Sequence, residues 1–267
     1  MQRDVSAHLG LTVAGPATLV FSAVVAPRGA ELHEKIVVTA GGQPLDPTEL
    51  IEFTDHYGSR LHRVECGAGP VTFDYQATVA GQGQLDSASA IDLVTFLRPS
   101  RYCESDVLAP TAAAEFGSFE GHALLAAVAG WVHDKLEYVS GSSLPTDGAV
   151  RTLLARQGVC RDFAHLTIAL LRARDVPARL VSVYAPGLSP MDFHAVCEAW
   201  VDGAWHLVDA TWLAPRPTLV RIATGRDAAD TAFLTSHGSE VVLDEMLVSA
   251  VVDELPADDW TSLVDLR

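Results

Sequence analysis

Basic residues are scarce in this chain. Its 267 residues include 18 lysines and arginines against 34 aspartates and glutamates, a formal net charge of −16. Such a surface repels phosphate backbones and anionic lipid, which speaks against nucleic acid or a membrane as partner. Cysteine is sparse as well. Cys66, Cys103, Cys160 and Cys197 lie far apart, with no Cys-x-x-Cys spacing. Reduced thiols, and with them a cytoplasmic location, are therefore expected in place of a disulfide framework. No apolar run reaches the roughly 18–20 residues that a membrane span needs, and the segment Met1–Ser6 has no signal-peptide pattern. There is no internal repeat and no low-complexity tract. What is present, with 49% hydrophobic residues, suffices for one large core or two modest ones.

The first third of the chain reads as strands. Short, often alternating apolar runs cover residues 9–13, 18–25, 34–39, 49–53, 60–64 and 72–79. Turn residues separate them, among them Ala26-Pro27-Arg28-Gly29, Gly41-Gly42 and Gly67-Ala68-Gly69-Pro70. This pattern predicts an antiparallel β-sandwich-like domain over residues 1–97, and it carries no chemical motif. Leu97-Arg98-Pro99-Ser100 marks a linker. Helical spacing then begins, with Leu124, Leu125, Val128, Trp131, Val132 and Leu136 on one face. Helices are expected near 121–136, 147–157 and 160–174, and strands near 178–184, 194–201 and 204–210. Apolar runs at 240–243 and 246–252 look like closing strands. The fold class is α+β, with residues 98–267 forming a second domain of helices packed on an antiparallel sheet.

Three residues of that second domain suggest chemistry. Thr146 or Asp147 can cap a helix that ends at Gly158, a residue suited to a C-terminal cap. The next helix then starts at about Cys160 and stops before Asp175-Val176-Pro177. A cysteine in a first helical turn faces unpaired N–H groups and the positive end of the macrodipole, and both stabilise a thiolate. Arg161 acts in the same sense and Asp162 opposes it. Phe163, Leu166, Ile168, Leu170 and Leu171 make the helix apolar nearly all round, so only its N-terminal tip should be open.

Strand geometry brings two further groups together. Asp202-Gly203 is a strong two-residue hairpin turn. It pairs Val201 with Ala204 and Trp200 with Trp205, and it puts His194, Val196, Trp200, Trp205, Leu207 and Asp209 on one face, with Cys197 on the other. His194 and Asp209 then become diagonal neighbours, roughly 7–8 Å apart at the backbone. A slip of one residue would separate them. With this register Asp209 can hold one ring nitrogen of His194 while the other meets Cys160, as nucleophilic catalysis requires.

The run Gly-Val-Cys-Arg-Asp-Phe-Ala-His at 158–165, then His194-Ala195-Val196, Asp209-Ala210-Thr211 and Gly225-Arg226-Asp227-Ala228-Ala229-Asp230, resembles the bacterial transglutaminase-like cysteine protease family. The likeness runs from about Tyr102 to Asp230 and is weaker in the N-terminal part. It implies a papain-like transglutaminase core with Cys160 as nucleophile, His194 as general base and acid, and Asp209 as the orienting group. No cofactor and no metal are implied, and the substrate would be a protein or peptide. Two positions depart from the usual pattern: His-Ala-Val-Cys-Glu-Ala-Trp stands where many relatives read His-Ala-Trp, and Asp-Ala-Thr where many read Asp-Pro-Thr. The family spans proteases, amidases and acyltransferases, so it specifies mechanism better than substrate.

Plainer roles compete for some of these residues. Asp162 fits a helix-start acid, and His165 a buried hydrogen-bonding residue. A zinc site from Cys160, His165, His194 and Cys197 matches no standard spacing, and Cys197 points the wrong way. Trp200 and Trp205 suit a cross-strand core pair. The Gly225–Asp230 run suits a loop held by Arg226–carboxylate bonds, with a place along the cleft as the alternative. Tyr138 and Tyr184 are each able to donate to an oxyanion, with nothing to separate them. The expected activity is hydrolysis of an amide or peptide bond through a Cys160 thioester. Acyl transfer to an amine, or a silent binding module, are the alternatives.

Overall fold

The computed structural model describes residues 1–267. The chain opens with seven strands: β1 (Gln2–Val13), β2 (Ala17–Phe21), β3 (Glu31–Ala40), β4 (Gln43–Pro44), β5 (Ile51–Thr54), β6 (Arg60–Cys66) and β7 (Gly69–Ala80). Helices α1 (Ala90–Thr95), α2 (Ser105–Phe116) and α3 (Gly121–Lys135) follow. A short parallel pair, β8 (Glu137–Tyr138) and β9 (Gln157–Gly158), then brackets α4 (Ala149–Ala155). Next come α5 (Cys160–Arg172), β10 (Ala178–Tyr184), β11 (Phe193–Val201), β12 (Ala204–Val208), β13 (Val220–Gly225) and α6 (Ala228–Thr231). Strands β14 (Leu234–Gly238) and β15 (Val241–Val252) precede a C-terminal tail.

Alternation of apolar residues builds the first unit. Odd-numbered Val5, Ala7, Leu9, Leu11 and Val13 of β1 are buried, as are Val71, Phe73, Tyr75, Ala77 and Val79 of β7. The two strands pair Leu9 with Phe73 and Val5 with Ala77, so one face is wholly core. A second sheet closes over it, and Phe21 stacks on Phe73 with ring centroids 4.5 Å apart. The sheet orders are β15-β1-β7-β3-β4 and β14-β2-β6-β5, every pairing antiparallel. This is the β-sandwich expected at the N-terminus, with one difference in how the chain is used. β14 pairs with β2 and β15 with β1, so residues 234–252 complete the first unit although they lie far beyond residue 97.

The second unit is a four-stranded antiparallel sheet, order β12-β11-β10-β13, with helices on one face. Every residue of α5 from Asp162 to Arg172 is buried. The helix is gripped by α2, α3, α4 and the sheet through Leu108, Leu124, Val128, Leu180 and Cys197. The other sheet face carries Val181, Val183, Val196 and Leu207, and the tail covers it with Leu266. Tyr184, Val220 and Ile222 also join the sandwich core, so the two units share packed surface. No helix is long and apolar enough to cross a membrane.

Several boundaries differ from expectation. The helix before β9 is N-capped by Gly148 without a side-chain bond, not by Thr146 or Asp147. Its C-cap is Arg156, with φ of 59°. Gly158 therefore does not terminate the helix. It is glycine because a Cβ there would lie 2.7 Å from Cβ of Asp162. Helix α2, with Pro110 inside it and no strong apolar stripe, stands where the sequence pattern predicts no helix. It forms because Leu108, Ala112 and Phe116 bury themselves beside α5.

Candidate active site

Cys160 opens α5, and the chain before it is held by one carboxylate. Asp162 Oδ2 accepts the Val159 N–H at 2.9 Å, bonding back to the residue that precedes the helix. Its Oδ1 accepts from Ser143 Oγ at 2.9 Å and from Arg161 at 3.3 Å. Arg161 also donates to Leu144 O at 3.0 Å. The loop at 142–147 is thereby latched to the helix start, and Arg161 and Asp162 spend their charges on each other.

The parallel pairing of Tyr138 with Gly158 sets the Tyr138 phenol beside Cys160. Burial and then the neighbouring Cys160 push the phenol up to about 12. Tyr184, the other tyrosine considered as a donor, is elsewhere: its hydroxyl donates to Ala23 O at 2.6 Å inside the sandwich interface.

His194 and Asp209 meet in the interior. The hairpin has the register set by its turn, Val201 opposite Ala204 and Trp200 opposite Trp205. Asp202 and Gly203 take φ of 51° and 82°, which only a few residue types accept readily. The ladder ends at Val208, but Asp209 continues its line. His194 Nε2 stands 2.8 Å from Asp209 Oδ2. Oδ1 of the same carboxylate accepts the backbone N–H and the hydroxyl of Thr211, at 2.8 and 2.7 Å. Both side chains are almost fully buried, at 1% and 3% exposure.

Burial disfavours a charged imidazole, but the Asp209 carboxylate outweighs it, and with a smaller contribution from Cys160 lifts His194 to about 10. Asp209 moves the other way. Burial is outweighed by His194 and the Thr211 donors, so its carboxyl lies below the ordinary range. The second ring nitrogen, Nδ1, is buried without a hydrogen bond, and Cys160 is its neighbour across the cleft.

Cys160 and His194 line a cavity of about 580 Å³ whose wall comprises 20 residues, 13 of them hydrophobic. The wall is drawn from both units: Ser22 and Met246 come from the sandwich, and Leu180, Phe193 and Ile222 from the sheet beneath α5. Among the other thiols, Cys103 and Cys197 are buried in the helical core. Burial pushes Cys103 up to about 12 and Cys197 well above the usual thiol value.

His165 lies deeper and is not at the cavity. Its Nε2 accepts the Ala228 N–H at 3.1 Å, its ring stacks on Tyr102 at 5.2 Å, and burial drives its pKa down to about 3. The Gly225–Asp230 run is both brace and wall. Arg226 donates to Asp230 through Nε at 2.8 Å and Nη2 at 3.0 Å, and Asp227 caps α6 while accepting the Tyr102 N–H at 2.9 Å. Ala228 and Ala229 then face the cavity. Trp200 and Trp205 pack edge to face at 5.3 Å.

One buried network had no signal in the sequence. Glu198 accepts from Arg179 at 2.8 Å and from Arg221 at 2.7 and 3.0 Å, and Arg179 reaches Asp86, in the connection between β7 and α1, at 2.7 Å. It lies on the sheet face opposite α5 and ties the β7–α1 connection to the sheet. An isolated Glu in a strand, with its partners 19 and 23 residues away, has no recognisable local pattern.

A family model, the transglutaminase-like superfamily, matches residues 113–210, the segment holding α3 through Asp209. A crystal structure from Cytophaga hutchinsonii, called a "putative cysteine protease", is 34% identical, covers 99% of this chain and 96% of its own, and superposes with a TM-score of 0.88. The chain belongs to the transglutaminase-like superfamily. Uncharacterized mycobacterial proteins are also similar. One from Mycobacterium leprae is 31% identical over 118 residues, which is 40% of this chain and 41% of that protein. One from Mycobacterium tuberculosis is 35% identical over 115 residues, 37% of this chain and 36% of that protein. The chain thus spans about two fifths of the length of these relatives.

Proposed function

We propose that the protein is a thiol-dependent hydrolase of amide or peptide bonds, acting on a protein or peptide in the cytoplasm. The observation that carries this reading is the buried 2.8 Å contact of His194 with Asp209 beside a helix-start cysteine that opens on an apolar cavity. A binding module has no need of all three groups together. The four free cysteines suit a reducing compartment.

In the proposed reaction the Cys160 thiolate attacks the carbonyl carbon, and the carbonyl π electrons move onto oxygen. We assign that oxyanion to the backbone N–H of Cys160 at the helix start and, from its nearness to Cys160, to the Tyr138 hydroxyl. Collapse expels the amine, which takes its proton from the His194 imidazolium, and leaves an acyl thioester on Cys160. His194, now neutral, removes a proton from water, which attacks the thioester and releases the acid with the thiolate restored. Asp209 keeps the ring oriented throughout and stabilises its charged form.

The test is selective alkylation followed by turnover. Iodoacetamide near pH 6 should mark Cys160 before Cys66, Cys103 and Cys197, whose thiols burial pushes up. A panel of peptide amides should then be cleaved without added amine. Equal slow labelling of all four thiols would sink the nucleophile. Product that forms only with a primary amine would convert the reading to acyl transfer.

A further inference from the structure

From α6 into β14 the chain follows the cavity wall, with only Asp230 turned from it. Ala228, Ala229, Thr231, Ala232, Phe233 and Leu234 all line it, and Leu234 is the first residue of β14. β14 is an edge strand, paired with β2 on one side and with nothing on the other. Its pairing mode shows which backbone groups are free. Ser22 N–H donates to Phe233 O at 2.9 Å and Ser239 N–H to Pro16 O at 3.1 Å. Odd-numbered residues of the strand therefore use their backbone groups on β2, and the even-numbered Leu234 and Ser236 direct theirs outward.

Exposed sheet edges are usually blunted by charge or proline, because an open edge recruits another strand. The other sandwich edges follow that rule: β15 carries Asp244 and Glu245, β4 carries Pro44, and β5 carries Glu52. β14 reads Leu-Thr-Ser-His-Gly, with neither a carboxylate nor a lysine, arginine or proline. It is an open edge at the mouth of an apolar cavity that holds a candidate nucleophile.

We infer that the substrate is an extended peptide that adds as a strand to the free edge of β14 and places a bulky apolar side chain, on the acyl side of the attacked carbonyl, in the pocket walled by Phe193, Ile222, Phe233 and Leu234. This rests on Cys160 being the nucleophile proposed above. Main-chain bonds to an edge supply affinity independent of sequence, and the pocket supplies selectivity. The acyl portion stays on the enzyme through both half-reactions, so contacts that hold it act in both.

The experiment uses the full chain and tetrapeptidyl chloromethyl ketones, in which the thiolate displaces chloride to give a thioether and no turnover is needed. Rates at Cys160 are divided by its iodoacetamide rate. A probe with Phe beside the ketone should react at least tenfold faster than one with Asp or Gly there. Methylating the probe amides one at a time should cost a similar factor at alternate amides only, the signature of strand pairing. Ser236→Pro removes an outward N–H that β2 does not use, so it should bring the Phe probe down to the Gly rate and leave iodoacetamide unaffected. Equal rates for Phe and Asp probes, or methylation effects without alternation, overturn the proposal even if the variant misfolds. If iodoacetamide does not mark Cys160 first, the nucleophile assignment falls and the proposal with it. If Cys160 is reactive but indifferent to the peptide, the strand-addition proposal alone fails.

Discussion

His194 Nε2 and Asp209 Oδ2 stand 2.8 Å apart although neither residue has a ladder partner on the other strand. β12 stops at Val208, and the chain then turns so that Thr211 donates twice to the remaining carboxylate oxygen. An ionised carboxylate is thereby satisfied in the interior, and the imidazole is fixed with Nδ1 free.

Cys160→Ala and His194→Ala should each abolish turnover, by about 10⁴-fold or more, and the double variant should be no worse than either single one. Cys160 sits at a helix tip beside a cavity, so its loss should hardly move the melting temperature. Turnover persisting in Cys160→Ala would exclude a covalent mechanism.

Asp209→Asn tests the pair through pH. The folded His194 pKa is raised, so its contribution to stability is complete below about pH 6.5 and is lost as pH rises through about 10. The folded Asp209 pKa is depressed, so its side of the same interaction is lost as pH falls below about 4. Wild type should therefore exceed Asp209→Asn in melting temperature most between roughly pH 4 and 6.5, with the gap closing toward pH 10. A pH-independent gap would contradict a charged pair.

Tyr138→Phe removes only the hydroxyl of a side chain that is 42% exposed. Its proposed place at the oxyanion predicts a fall in kcat of about 10²-fold with KM little changed and the melt intact. A change confined to KM would move Tyr138 from the oxyanion to substrate binding.

His165 is buried with its pKa driven down to about 3, so between about pH 6.5 and 3 the unfolded chain binds a proton that the folded chain refuses. Stability should fall as pH drops through that window, by on the order of 1 kcal/mol per pH unit from this group. His165→Gln takes up no proton and should flatten the acid limb of a melting-temperature profile. An unaltered limb would mean that other groups govern acid unfolding.

Glu198→Ala leaves Arg179 and Arg221 buried without their carboxylate. Urea unfolding should show a loss of about 3–5 kcal/mol. A loss below about 1 kcal/mol would mean that water replaces the carboxylate at no great cost.

Much of the second unit was legible because its signals are local. A turn dipeptide, a side-chain period of two and a helix that begins at the cysteine need only a few neighbouring residues to be read. Caps were less legible. Arg156 takes the left-handed position that a glycine two residues later was expected to fill, because close approach to Asp162 had already claimed Gly158. Helix α2 has no legible pattern because it is stabilised by what it packs against rather than by its own spacing.

By itself the sequence determined the hairpin register and the face shared by His194 and Asp209, since strand alternation leaves no freedom once Asp202-Gly203 makes the turn. The helix start at Cys160 was legible too, from the apolar run that follows it and its stop before Asp175-Val176-Pro177. Only the tertiary structure decided that β14 and β15 return to β2 and β1. The same holds for the shared cavity wall, for Tyr138 and not Tyr184 reaching Cys160, and for Glu198 taking two arginines. Those outcomes depend on contacts between distant segments. Any exposed strand has the backbone groups to pair, and the partner is chosen by which apolar faces can be buried together.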